Sequence, residues 1–241
     1  MIAWDCENAY WHQRLYQKQD VVKELTALVA DVLARKPEAN IAVSAVDLPA
    51  EVLDALAASD IAFDKAKLFQ ACEYCGAAGK GTHAVGAAFS PLMAAKPFAA
   101  VHAPDPDTDA EHAADYDAAI QAAGGLDLVI LGLGERGHVA FNEPGAGFNE
   151  KTHIAKLAEV TREAAAADFG TLEQTPEQGI TMGIHTILGA KKILLVGFGA
   201  RCAKAANATL TGRPETFIPA SFLQLHTDVE VYLDADAAAQ L

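Results

Sequence analysis

The sequence predicts an α/β protein: a three-layer αβα sandwich around a mostly parallel, Rossmann-like sheet, with residues 1–241 forming a single domain. Three observations lead there. Strand-like and helix-like segments alternate along the chain with loops of ordinary length, the pattern of βαβ units. The run Leu126–Leu131 carries one charge, Asp127, and is otherwise Leu, Val and Ile, as in a strand covered on both faces. No linker, repeat or low-complexity stretch divides the chain, and its length supports one large core.

Taken in order, residues 19–35 place Val21, Val22, Leu25, Leu28, Val29, Val32 and Leu33 on one helical face, and Pro37 stops that helix. Asn40–Val46 reads as a strand, after which Pro49 opens a helix through Ala58. Lys67–Ala71 is a second strand leading into CEYCGAAGKG. Thr82–Ala95 fits a helix broken near Pro91, and Phe98–His102 another strand. Thr108 and Glu111 have the spacing of a capping box for a helix that ends at Gly124 and Gly125. His102 and His112, which flank that loop, read as solvated or locally paired. Beyond Leu131, Thr152–Leu157 returns as a strand, Thr161 caps a short helix through Asp168, and Gln178–Leu188 is expected to be helical. Ile193–Val196 and Val229–Leu233 complete the sheet.

Polar chemistry begins where the Leu126–Leu131 run ends. Gly132, Gly134 and Gly137 let the backbone turn and approach a ligand closely, and Arg136, His138, Asn142, Glu143 and Pro144 follow. The three glycines spell GxGxxG, but a dinucleotide fingerprint needs a helix opening at the third glycine, and Pro144, Gly145 and Gly147 forbid a long one. No nicotinamide or flavin site is expected. What remains is a His followed five residues later by a Glu. A carboxylate that orients an imidazole supports general acid/base catalysis; the same pair also serves as a stabilising loop contact, and spacing alone does not separate the two. Ligands gather at the carboxyl ends of such strands, and Cys72, His102, His138 and Gly199 all follow strands, so their loops should converge.

The formal net charge is −14, which opposes nucleic acid and anionic lipid, and no Lys/Arg cluster offsets it. A small anionic substrate would need a local cationic pocket, for which Arg136, Lys151, Arg162, Arg201 and Lys204 are candidates. There is no membrane-spanning run, and the start MIAWDCENAYWHQR lacks the features of a secretory signal, so a cytoplasmic location is expected. Cys6, Cys72, Cys75 and Cys202 read as reduced thiols there; Cys72 and Cys75 form one CxxC, which without a second pair does not make a zinc site, and no metal is expected.

The segment GLGERGHVAFNEPG resembles the signature of the glucosamine-6-phosphate deaminase (isomerase) family, with LDLVILGLG similar to the strand before it. GITMGIHTILGAKKILLVGFG and IPASFLQLH are similar to the family's C-terminal half, and IPASFL is closer to its galactosamine-6-phosphate members; the likeness runs from about Gly125 to Leu233. The resemblance implies a small-molecule sugar phosphate as substrate, no cofactor, and a homo-oligomeric state left open. It implies that His138, oriented by Glu143, opens the pyranose ring, and that a base at Cys72 or Glu73 moves the C2 proton to C1 before ammonia leaves. Gly134, Arg136, Gly137 and Asn142 would then lie at the sugar. In the family a Gly/Thr-rich loop holds phosphate where this chain reads SAVDLPAEV, and a phosphate lysine falls on Cys202, leaving Arg201 and Lys204 as the expected anion ligands. The family's first carboxylate position is Cys72. A non-catalytic or re-specialised sugar-binding relative is the alternative that these departures imply.

Overall fold

The computed structural model describes residues 11–76 and 85–241, with side chains from residue 17 onward. Cys6, most of the GAAGKG segment and the Thr82 start of the expected broken helix lie outside the described residues. The strands in chain order are β1 (Trp11–Tyr16), β2 (Asn40–Val43), β3 (Lys67–Gln70), β4 (Cys72–Tyr74), β5 (Ala100–His102), β6 (Leu128–Gly132), β7 (His153–Lys156), β8 (Gln178–Thr181), β9 (Ile193–Gly197) and β10 (Val229–Asp234). The helices are α1 (Lys18–Arg35), α2 (Ala50–Ala58), α3 (Ser90–Ala95), α4 (Asp115–Ala122), α5 (Glu159–Phe169), α6 (Ile184–Leu188) and α7 (Ala203–Thr211).

Seven strands form one sheet in the order β1-β10-β9-β6-β2-β3-β5, and every neighbouring pair is parallel. The apolar run singled out in the sequence is the middle strand β6, buried at all five positions. Its neighbours are β9 and β2, so the loops leaving β2, β6 and β9 lie side by side at one edge of the sheet. α1 buries Val21, Leu25, Val29 and Leu33, one stripe at i, i+4 spacing, while Val22, Leu28 and Val32 flank it half-buried. Pro49 stands at the N-cap of α2, and Pro91 in the first turn of α3 follows a short helical turn over Val85–Phe89.

Two local expectations are corrected. Gln178–Leu188 is not one helix: Gln178–Thr181 is strand β8, the middle of a small antiparallel sheet β4-β8-β7, and the helix starts only at Ile184. Gly179 and Gly183 are the reason. A Cβ at Gly179 would come within 2.5 Å of the Phe141 ring, and one at Gly183 within 2.1 Å of the Glu150 carbonyl, so both glycines are seats for neighbours rather than helix interior. Nor do Thr108 and Glu111 form a capping box. Asp109 caps that turn instead, its carboxylate accepting from the Glu111 and His112 backbone N–H groups at 3.0 Å, and α4 begins at Asp115. His112 is locally paired as expected, with Asp109 at 2.8 Å, and the His102 ring stacks on Phe69.

Asp127, the one charge in the apolar run, ties three elements together. Its carboxylate accepts from Lys36 Nζ at 2.7 Å, Lys191 Nζ at 2.8 Å and the Asn40 backbone N–H at 2.9 Å, joining the end of α1, the start of β2 and the approach to β9. Burial pushes the Asp127 carboxyl up, but the hydrogen bonds from Lys191, Lys36 and Asn40 outweigh it and hold the group below the ordinary carboxylate range. A depressed folded-state value gives stability that is present above the unfolded value of about 3.8 and is lost as pH falls through the folded one. Asp127→Ala should therefore lower unfolding stability in urea by about 1–3 kcal/mol at pH 7, with the difference from wild type shrinking below about pH 4.

Candidate active site

The loops leaving β2, β6 and β9, with the start of α1 and one face of α5, enclose a cavity of about 720 Å³, a size suited to a small polar ligand. Asp47, His138, Tyr74, Thr161, Arg201 and Lys18 are among its walls. His138 is buried, and its Nε2 lies 2.7 Å from Asp47 Oδ2. Arg201 approaches the other oxygen, Nη2 to Oδ1, at 3.3 Å. Burial raises the Asp47 carboxyl, but the His138 hydrogen bond and charge, together with the Arg201 guanidinium, bring it below the ordinary carboxylate range. An ionised Asp47 only accepts, so Nε2 of His138 carries a hydrogen and donates it; Nδ1 is buried and without a hydrogen-bond partner.

The glycines of the GxGxxG-like stretch explain how the two meet. A Cβ at Gly134 would fall 2.1–2.4 Å from three atoms of the His138 ring, and a Cβ at Gly132 would fall 2.2–2.5 Å from the backbone of Asp47 and Leu48. The imidazole thus lies flat on one glycine and the Asp47 turn on the other. Asp47 itself sits at φ +56, a left-handed conformation that Asp tolerates better than most residues. Gly137 adopts φ +75 and packs on Ile218.

The expected His138–Glu143 hydrogen bond is not formed. Glu143 turns to the start of α5, where its Oε1 accepts from Thr161 Oγ1 at 2.6 Å and from the Ala158 backbone N–H at 3.1 Å. Thr161 is accordingly a donor to Glu143 inside the helix, not the helix cap. Arg136 Nη1 stands 3.7 Å from Glu143 Oε2, and both residues line a second cavity of about 550 Å³ with Lys156 and Arg162 on the other side of α5. A carboxylate at the N-terminal end of a helix is favoured by the exposed N–H groups there, which is why Glu143 settles on α5. Asn142 is also structural: its Nδ2 donates to the Val139 and Met182 carbonyls at 3.0 and 2.8 Å, and with Ala140 at φ +50 it fixes the turn behind His138.

Neither expected base reaches the cavity. Cys72 is fully buried, with its Sγ 3.8 Å from Ser44 Oγ, and burial pushes its thiol far up. Glu73 is buried as well and fully engaged: Oε1 accepts from the Tyr74 and Val85 N–H groups and Oε2 from Gln70 Nε2 and the Gly86 N–H, at 2.8–3.0 Å. It closes the chain onto the turn after residue 84 and has no lone pair left for a substrate. Cys202 points its thiol at the Leu133 carbonyl, and Lys204 is exposed on α7 outside the cavity walls. The structure therefore brings together His138 and Arg201 from the expected set, with Gly134 beneath the imidazole, and leaves Arg136, Glu143, Cys72, Glu73, Asn142 and Lys204 elsewhere. Asp47 and Lys18 were missed. Asp47 offered one signal, an acid in the loop leaving a buried strand; Lys18 offered none.

Cysteines 72, 75 and 202 are free thiols, and among the described residues no cluster of three or more His, Cys, Asp and Glu side chains is placed to hold a metal ion. No described helix is long and apolar enough to cross a membrane. The two seats give unequal predictions. Gly132→Ala collides with backbone and should cost about 1–3 kcal/mol in unfolding experiments, whereas Gly134→Ala collides with a side chain. The latter should remain more stable than Gly132→Ala while a crystal structure shows the imidazole displaced and the 2.7 Å contact to Asp47 broken.

Comparison with known proteins places this architecture. Residues 15–232 match the family described as glucosamine-6-phosphate isomerases/6-phosphogluconolactonase. A glucosamine-6-phosphate deaminase of Bacillus pumilus is 33% identical over 236 residues, covering 92% of this chain and 96% of its own. One from Exiguobacterium sibiricum is 48% identical over 126 residues, covering 52% of this chain and 50% of its own. A monomeric glucosamine-6-phosphate deaminase of known structure superposes with a TM-score of 0.84 at 27% identity, covering 96% of this chain and all of that one. The chain belongs to the glucosamine-6-phosphate isomerase/6-phosphogluconolactonase family.

Proposed function

We propose that this protein is an amino-sugar phosphate isomerase/deaminase that converts glucosamine-6-phosphate or galactosamine-6-phosphate to the ketose phosphate and ammonia. The observation that carries this reading is the cavity-lining imidazole of His138, held at 2.7 Å by an ionised Asp47 within the loop that resembles the family signature. A carboxylate behind an imidazole holds the ring in one orientation, which suits a group that must both take and return a proton. In this scheme His138 passes the proton needed to open the pyranose to the aldehyde form. The C2 proton then leaves, and a proton is delivered at C1. The C2–N bond becomes an imine, and water replaces the nitrogen as ammonia. Each step is a proton transfer, an addition of water to the imine or the loss of ammonia from the carbinolamine so formed, and none of these calls for a cofactor. With Cys72 and Glu73 turned away, the His138–Asp47 pair is the acid/base couple assigned to the whole sequence of proton transfers.

The buried Cys72 and the engaged Glu73 favour a second reading, a family member that binds the sugar without turning it over. Ammonia release decides between them. The wild type should liberate ammonia from at least one of the two sugar phosphates, and His138→Ala should lower kcat/KM by about 10²–10⁴-fold while calorimetry still registers sugar binding. Binding by the wild type without any ammonia release would establish the second reading instead.

A further inference from the structure

We infer that Lys18, together with Arg201, seats the phosphate of the substrate, and that the seat lies beside the loop leaving β9 rather than in the loop leaving β2. The inference rests on the amino-sugar phosphate reading above and names the residues that recognise the anion. The loop leaving β2 is unfit for it. Between Ala45 and Pro49 it has no glycine, its Leu48 N–H is spent on the Ala45 carbonyl, Pro49 has no N–H, and the ionised Asp47 carboxylate repels an anion. Cys202 and Lys204 do not line the cavity.

Among the described residues, the only Lys or Arg side chains in the cavity walls are Lys18 and Arg201. Both belong to one corner. Lys18 opens α1 and holds its Nζ 5.6 Å from the centre of the Phe198 ring, and Arg201 follows Phe198 by three residues in the same loop. Each side chain is about half exposed, 54% in both cases, so each can turn its head group to a ligand at the mouth. Lys18 is the less committed of the two. Among the described residues its nearest carboxylate oxygen, on Asp234, is 3.8 Å away, and Asp234 already accepts from the Gly199 and Ala237 N–H groups. Arg201 is drawn to Asp47 at 3.3 Å and brings its fork across the same corner.

The other charges in the cavity walls, besides Asp47, are Glu51, Glu135 and Asp168. A wall whose two cations share one corner, with Asp47 holding one side of the Arg201 fork and further carboxylates in the lining, matches a substrate that is itself zwitterionic, a phosphate at one end and an ammonium on the ring. That arrangement sets the direction in which the sugar enters, with its phosphate toward Phe198 and its amine toward the acidic walls.

Affinity measured separately for phosphorylated and free sugar tests this. Lys18→Ala should weaken binding of glucosamine-6-phosphate or galactosamine-6-phosphate by about tenfold or more while changing affinity for the free amino sugar less than twofold. Lys18→Arg should restore most of the loss, Lys204→Ala should change neither, and the melting temperature of each variant confirms folding. Unchanged affinity for the phosphorylated sugar in Lys18→Ala, or an equal loss for both sugars, overturns the inference. Wild-type protein that binds phosphorylated and free sugar equally also overturns it, and leaves isomerase/deaminase chemistry on an unphosphorylated amino sugar standing. A Lys18-dependent preference for the phosphorylated sugar without ammonia release supports the seat and removes the catalytic reading alone.

Discussion

One side chain and one backbone turn at the centre of this protein occupy space that a single methyl group would fill. The His138 imidazole rests on Gly134 and the Asp47 turn rests on Gly132, so the end of the fully buried strand β6 is kept bare where the loops leaving β2 and β6 cross it. Protein interiors are packed densely enough that such clearances are either used or filled. Here they bring a carboxylate and an imidazole from segments 91 residues apart to 2.7 Å. Arg201, from the loop on the other side of β6, completes the corner at 3.3 Å. Loop geometry at three adjacent strand ends therefore sets both the charge state of Asp47 and which ring nitrogen of His138 faces it.

The signature loop divides its work between two sides of α5. His138 faces the larger cavity, Phe141 packs under Tyr74 and against Gly179, and Asn142 pins the turn to the carbonyl of Met182. Glu143 leaves the imidazole and braces the first turn of α5, the helix whose Val160, Thr161 and Ala165 wall the larger cavity. Its other oxygen faces Arg136. The charge that the family resemblance placed at position 72 is absent there, and a carboxylate stands instead at position 47, in the loop leaving β2, the strand beside β3. A thiol in the fully buried surroundings of Cys72 stays protonated, whereas Asp47 between an imidazole and a guanidinium stays ionised. Proton-transfer chemistry in this cavity thus has one ionised carboxylate tied to one histidine.

The architecture was legible because it depends on periodicity. The α1 stripe, the continuous apolar run of β6 and the alternation of strands and helices specify layers whatever their neighbours do. β8 was not legible, since Gly179 and Gly183 look like weak helix positions until Phe141 and Glu150 are seen lying on them. The site was legible only in part. His138 stood out through its glycines, but its partner is 91 residues away, and contacts between loops leave no spacing for a sequence to display. Glu143, five residues from the histidine, was the nearer guess; the N–H of Ala158 and the hydroxyl of Thr161 offered it better partners. Asp47 showed only as an acid in the loop leaving a buried strand, and its place beside His138 became visible only once β2 and β6 were adjacent.

The pairing of His138 with Asp47 as the working acid/base couple is tested most directly by comparing two variants for ammonia release from the sugar phosphates across pH. Asp47→Asn keeps the shape and tolerates the left-handed backbone, but removes the charge that holds the imidazole; Cys72→Ser alters a buried thiol that faces Ser44. The account predicts that Asp47→Asn loses activity by about 10²–10⁴-fold at every pH where wild type is active, and that Cys72→Ser retains wild-type turnover. Loss of turnover in Cys72→Ser, with Asp47→Asn as active as wild type, would contradict it.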